Sequence, residues 1–227
     1  MEELKKELSE GYLETSEYFS QAFEVFKKIL KKETVTVIGV TMLYFVSAAF
    51  NMLMPNLPLG LLTSAIGSIF SLLLMRKIAF LIDPVQEIDN NLIKLIILVA
   101  IFSIPMTGIG FLIVFFMSPY FIISYVIEKK TLNELYNYNL RITSGNRNRM
   151  YFPIIILIVI SYVCSVILDF LPVLPEIKLI IICILIGISV IFSNTIMIIV
   201  YLNVKYIRIE NENYKNRNDN DNLKRIE

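Results

Sequence analysis

The sequence predicts an all-α polytopic membrane helix bundle with about six transmembrane helices, both termini in the cytoplasm, and two cytoplasmic interfacial amphipathic helices. Three observations predict it. Hydrophobic residues make up 56% of the 227-residue chain and charged residues 18%, against about 45–50% and 25% in an ordinary soluble domain. The apolar residues are blocked into long uncharged runs separated by short charged clusters, the pattern of a bilayer-solvated chain. Finally, all of the 21 basic residues except Lys178 fall in segments that a six-span layout puts on one side of the membrane, as the positive-inside rule requires.

Five uncharged runs carry the spans: Val35–Met54, Leu59–Met75, Leu95–Ile127, Met150–Leu168 and Leu179–Val204. A single crossing takes about 20 residues at 1.5 Å each. The second run is short, but Arg76 and Lys77 can snorkel while Ile78–Ile82 extends its apolar face. The third run is too long for one crossing and is interrupted by Pro105, Gly108 and Gly110, residues that break helices and permit turns. It is expected to form a tight hairpin. The six spans then lie near 35–54, 59–82, 92–106, 109–127, 150–168 and 179–204, in a transmembrane domain of residues 35–205. A single crossing by the third run would strand the last two basic clusters on the wrong side.

Outside the bilayer, residues 1–34 form a cytoplasmic segment. Within it Phe19, Ala22, Phe23, Phe26, Ile29 and Leu30 share one helical face, so a helix over 16–32 is expected to lie in the interface and lead into the first span. Thr131 and Glu134 have capping-box spacing, Leu132, Leu135, Tyr136 and Leu140 line one face, and Gly145 is placed to end a helix over 131–144. Residues 206–227 are asparagine-rich with few apolar residues and are expected to be a disordered cytoplasmic tail. The first run follows a charged segment of more than thirty residues with no small-residue cleavage site, so it is expected to be retained rather than removed as a signal peptide.

Much chemistry is excluded. The chain has no histidine, which removes H-E-x-x-H zinc sites, Ser–His pairs and histidine relays. There is no nucleotide-binding glycine loop, and Asp169 stands alone at a span end where an aspartyl protease needs a pair. No catalytic, cofactor or metal residues are expected. Cys164 and Cys183 both lie in apolar runs and read as inert thiols. The spans carry neutral polar groups instead: Thr41, Ser47 and Asn51, then Ser64, Ser68 and Ser71, then Ser193, Asn194 and Thr195. Gly60, Ser64, Gly67, Ser68 and Ser71 form a small-residue ridge suited to close helix packing, and Cys183 and Gly187 repeat the spacing. A weak polar pocket is expected at Asn51, Ser193, Asn194 and Thr195, with interhelical hydrogen bonding as an equal explanation.

One stretch, FFMSPYFIISYVIEKKTLNELYNYNLRITSGNRNRMYFPIIILIVI, resembles a recurring segment of bacterial multi-helix membrane proteins. They include the membrane domain attached to some glycerophosphodiester phosphodiesterases and related stand-alone proteins of unknown function. The positions that match are Ser118, Pro119, Tyr120, Glu128, Leu140, Arg141, Thr143, Gly145 and Asn146. The resemblance covers about forty-five residues and implies an all-helical membrane domain. It does not imply phosphodiesterase activity, which belongs to a separate soluble domain with histidine and acidic residues. The expectation is a non-enzymatic protein of the bacterial cytoplasmic membrane that binds lipid or a membrane partner, and no nucleic acid. The alternatives are a permease subunit of an ATP-driven exporter and a lipid-modifying enzyme with an unrecognised site.

Overall fold

The computed structural model describes residues 2–54, 59–85, 88, 91–103, 120–170, 172 and 174–223. Its described residues form helices and their connections, with one isolated bridge between Ile88 and Glu128. In chain order the helices are α1 (Glu2–Glu10), α2 (Thr15–Lys32), α3 (Thr34–Leu53), α4 (Leu59–Ile82), α5 (Leu92–Ser103), α6 (Phe121–Ile127), α7 (Leu132–Thr143), α8 (Arg147–Phe170) and α9 (Pro175–Leu223). By length and composition three of the described helices can cross a membrane, through Ala65–Ile82, Arg147–Leu168 and Ile180–Ile209. A fourth is added if α2 and α3, bent by 96° at their junction, count as one. The apolar outer surface matches: Ile155, Ile158, Val163 and Ile167 on α8, and Ile180, Ile184 and Ile188 on α9, are all exposed.

α9 is the spine. Its first half presents an apolar surface, whereas from Ile191 to Ile207 nearly every residue is enclosed by protein. α1, α2, the end of α4, α6 and α7 all pack around this second half. The second half of the expected sixth span, Ile196–Val204, is thus largely enclosed by protein, within a stretch, Ile180–Ile209, that is long and apolar enough to cross a membrane. An all-round apolar helix is the signature of either environment.

Several local predictions hold. Thr131 caps α7 through a reciprocal box, its N–H donating to the Glu134 carboxylate at 3.0 Å. Gly145 takes φ 79° just past the helix end, a conformation glycine adopts without the Cβ clash. α2 forms where expected, but its seam is Tyr18, Ala22, Val25, Phe26 and Ile29, and it packs on α9, where Phe192 meets Phe19 and Phe26 at 6.3 and 5.7 Å between ring centres. Phe23 and Leu30 point outward instead.

Three features of the structure go beyond these expectations. α1 is an additional amphipathic helix that buries Leu4 and Leu8. The segment from 206 onward continues α9 to Leu223, because a helix nucleated by a buried segment extends at the cost of one residue at a time. Of the expected span near 109–127 only the end is described: Tyr120 sits at φ 65° as the N-cap of α6, and the seven residues of that helix follow it. The expected hairpin turn at 105–110, and the span residues up to 119, lie outside the described residues.

Helix approach is closest where small residues stand. A Cβ on Gly187 would lie 2.7 and 2.9 Å from Cγ2 and Cβ of Thr41, and Thr41 is β-branched and held by its own bond to the Val37 carbonyl. Gly39, by contrast, faces open space. Overpacking of this kind costs about 1–3 kcal/mol. Gly187→Ala is expected to lower the melting temperature of the detergent-solubilised protein by several degrees, and Gly39→Ala to leave it level or raise it. Equal melting temperatures for the two would show that α3 and α9 are not in close contact.

Candidate functional site

The apolar helices rise from a layer built of the chain's charged connections, and the polar chemistry of the molecule is concentrated there. Its centre is Asn203, fully buried on α9. The amide nitrogen donates to the carbonyls of Leu8 and Gly11 at 2.7 and 2.8 Å. The amide oxygen accepts the Tyr18 hydroxyl at 2.5 Å and the Leu13 N–H at 3.3 Å. An amide offers two donors and two acceptor sites, so this one residue is fully satisfied and ties the α1–α2 connection to α9.

One turn away, Glu128 at the end of α6 accepts the Tyr201 hydroxyl at 2.8 Å and the Lys205 ammonium at 2.7 Å. Both charged groups are about nine-tenths buried. Removing one partner of such a pair leaves an uncompensated charge, at a cost of about 3–5 kcal/mol. Arg76, also buried, donates from Nε to the Val126 carbonyl and from Nη2 to the Asn91 carbonyl, each at 3.0 Å. Asp83, just past α4, accepts Lys5 at 2.7 Å, the Tyr206 hydroxyl at 2.6 Å and the Val85 N–H at 3.2 Å. Lys94 donates to the Lys130 carbonyl, and Arg149 donates to that of Leu13 while its guanidinium lies over the Tyr12 ring.

Beside this layer, at the elbow between α2 and α3, a cleft of about 690 Å³ opens between the end of α2, α4, Ile88 and Lys129. Lys32, Arg76, Lys77 and Lys129 line it together with one acid, Glu33, and its apolar wall includes Leu74, Ile78 and Phe80. Lys77 bridges Glu33 and also donates to Thr36. That ammonium, first through its hydrogen bond, holds the Glu33 carboxyl below its ordinary range against the opposing effect of burial.

The residues singled out in the spans are mostly joined in helix contacts. Asn194 donates to the Ser71 hydroxyl at 2.8 Å, linking α9 to α4. Ser47 donates to the Gly60 carbonyl at 2.8 Å, and Gly67 abuts Leu43 and Tyr44, so the small-residue ridge of α4 faces α3. Ser68 bonds Tyr44 on the same interface. Thr195 donates to the Ile191 carbonyl within its own helix, and Ser193 is half-buried. Buried Cys183 lines an apolar groove of about 450 Å³ between α3 and α9, whereas Cys164 is exposed and borders a smaller groove between α8 and α9. The side chains of Asn51, Ser64 and Asp169 lie outside the described residues. Of the residues expected in a polar pocket, Asn194 makes an interhelical bond, and the Asn51 side chain is not among those described.

Sequence reasoning missed Asn203, Lys205 and Asp83, and marked Glu128 only as a position of the resemblance, without naming the residues it meets. A signal existed for Lys205, a charge breaking an apolar run one turn after Tyr201, but its acidic partner is 77 residues away. Among the described residues no group of acidic and cysteine side chains has the arrangement of a metal site. No family model, curated protein or solved structure matches the chain.

Two measurements probe this layer. Each buried polar group left unpaired costs about 1–3 kcal/mol, so Asn203→Ala is expected to lower stability by about 3 kcal/mol or more. Asn203→Asp is expected to be as damaging, because a carboxylate cannot donate to the two carbonyls. A mild Asn203→Asp phenotype in thermal unfolding would contradict the bonding described. For Asp83, burial acts to raise the carboxyl, but the bonds from Lys5 and Tyr206, the Lys5 charge and the Val85 N–H together bring it below its ordinary value of 3.8. A carboxyl depressed in the native state adds stability that is complete above its unfolded value and fades as pH falls through the native one. Wild type is therefore expected to lose melting temperature progressively below about pH 5, and Asp83→Asn to flatten that loss. Parallel profiles for the two proteins would rule the contribution out.

Proposed function

We propose that the chain is a multi-pass protein of the bacterial cytoplasmic membrane, with six spans and both termini inside, that binds lipid or a membrane partner without catalysing a reaction. The observation that carries the reading is the convergence of the basic connections into one layer. Lys77 of α4 meets Glu33 before α3. Lys94 of α5 meets the carbonyl of Lys130. Arg149 of α8 meets Leu13, whose N–H in turn meets Asn203 of α9.

Two connections that touch lie on the same side of a membrane, so an even number of crossings separates them. α3 and α4 supply two crossings between Glu33 and Lys77, and α8 and α9 supply two between Arg149 and Asn203. The segment between Lys94 and Lys130 then crosses twice or not at all. Its 33-residue uncharged run is about 50 Å long as a straight helix and favours two crossings, giving six. The right-angled elbow between α2 and α3 fits a helix lying along the membrane surface before a crossing. The excess of Lys and Arg assigns the layer to the cytoplasm.

The absence of a reaction in this reading rests on the lack of histidine and of any catalytic spacing. The buried polar groups described above are engaged in holding helices together. The resemblance to the membrane domain of glycerophosphodiester phosphodiesterases points to the same class of protein.

The topology is tested by cysteine labelling in a Cys164→Ala/Cys183→Ala background. Cysteines placed at Glu3 and Asn137 are expected to react with a membrane-impermeant maleimide only after permeabilisation, and one at Leu174 in intact cells. Labelling of all three from the same side would defeat the six-span layout.

A further inference from the structure

We infer that the cleft at the α2–α3 elbow is a binding site for an anionic glycerophospholipid, with the phosphate on its cationic rim and an acyl chain along its apolar wall. The inference rests on the membrane reading above and names the ligand class that reading leaves open.

Charge comes first. Lys32, Arg76, Lys77 and Lys129 line the cleft against the single acid Glu33. These bases come from separate elements: the end of α2, the last third of α4, and the residue after Glu128. Convergence of distant segments on one volume distinguishes the cleft from a run of lysines along one helix face. Lys32 and Lys129 are exposed at its rim, while Arg76 is anchored through its bonds to Val126 and Asn91. Lysine ammonium groups and arginine guanidinium both bind phosphate oxygens through charge-assisted hydrogen bonds.

Depth decides between a lipid and a free anion. Arg76 and Lys77 stand five or six residues before the end of α4, about 8 Å along the helix, inside the apolar window Ala65–Ile82. Basic groups at that position sit at headgroup level, where anionic lipids concentrate. Phe80 is 55% exposed on the same wall, and Leu81 and Ile88 complete an apolar surface. A soluble phosphate has no use for that surface, whereas an acyl chain covers it. The volume of about 690 Å³ falls in the range of small-molecule sites, about 300–1,000 Å³.

The test uses the full chain purified in mild detergent, with retained lipid counted by native mass spectrometry after addition of phosphatidylglycerol or phosphatidylcholine. Wild type is expected to retain phosphatidylglycerol about ten-fold more strongly, and millimolar inorganic phosphate to leave it bound. Lys32→Gln/Lys129→Gln is expected to abolish the preference, and Phe80→Glu to weaken retention independently. Lys6→Gln/Lys27→Gln, which neutralises two exposed lysines outside the cleft, is expected to keep it.

A preference that survives Lys32→Gln/Lys129→Gln and Phe80→Glu overturns the cleft while lipid binding by the protein stands. Equal loss in Lys6→Gln/Lys27→Gln overturns it in favour of diffuse surface attraction. Complete displacement by inorganic phosphate overturns the lipid in favour of a free-anion site. Retention of neither lipid overturns both the cleft and the broader lipid reading.

Discussion

The structure depends on the burial of polar groups along one side-chain-lined segment, Ile191–Ile207 of α9. A hydrophobic helix can be surrounded by almost any apolar neighbour, but Asn194, Asn203 and Lys205 cannot. Each must find a partner or remain unpaired in a medium where that is costly. Asn194 finds Ser71 on α4, Asn203 finds the α1–α2 connection, and Lys205 finds Glu128 after α6. Three groups on one helix thereby specify the positions of three other parts of the chain. Apolar packing supplies the driving force, and the buried polar bonds select one arrangement from the many that would bury the same surface.

The same arrangement explains why the two halves of the molecule differ. Around the second half of α9 the packed helices are tied by charged or amide bonds. Beyond it α8 and the first half of α9 meet along one side and leave the rest of their apolar surface exposed. In water that surface would be an aggregation liability. In a bilayer it needs no partner, and association there relies on close approach of small residues rather than on hydrophobic burial. Gly187 against Thr41, Gly67 against Leu43 and Gly60 against Ser47 are contacts of that kind.

What could be read from the sequence follows this division. Long apolar runs and local capping signals depend on neighbours within a few residues, so α3, α4, α7 and α8 were legible nearly to their ends. Small residues at helical spacing also marked real interfaces, although which helix each would meet was not legible. The failures share a cause. An uncharged run reads the same whether lipid or protein surrounds it, so the enclosure of Ile196–Val204 and the left-handed turn at Tyr120 were hidden. α1 was missed because its buried face amounts to Leu4 and Leu8, too few to show a period. The bonds of Asn203 and Glu128 span 73 to 195 residues of sequence, and a single sequence carries no record of such pairings.

The cationic cleft is a consequence of that polar layer rather than an addition to it. Arg76 is held by carbonyls of Val126 and Asn91 because α6 is docked by Glu128 onto α9. The docking carries Lys129, the next residue, to the mouth of the cleft. Lys77 and Glu33 meet where α2 turns by 96° into α3, and Lys32, at the same turn, lines the cleft. Loosening the Glu128–Lys205 pair would therefore move one wall of the cleft without touching its lining. A ligand that bridges Lys32 and Lys129 would in turn favour the docked state, because binding and docking share the same free energy. A lipid in the cleft would thus couple its own occupancy to the stability of the layer, and each would be a measure of the other.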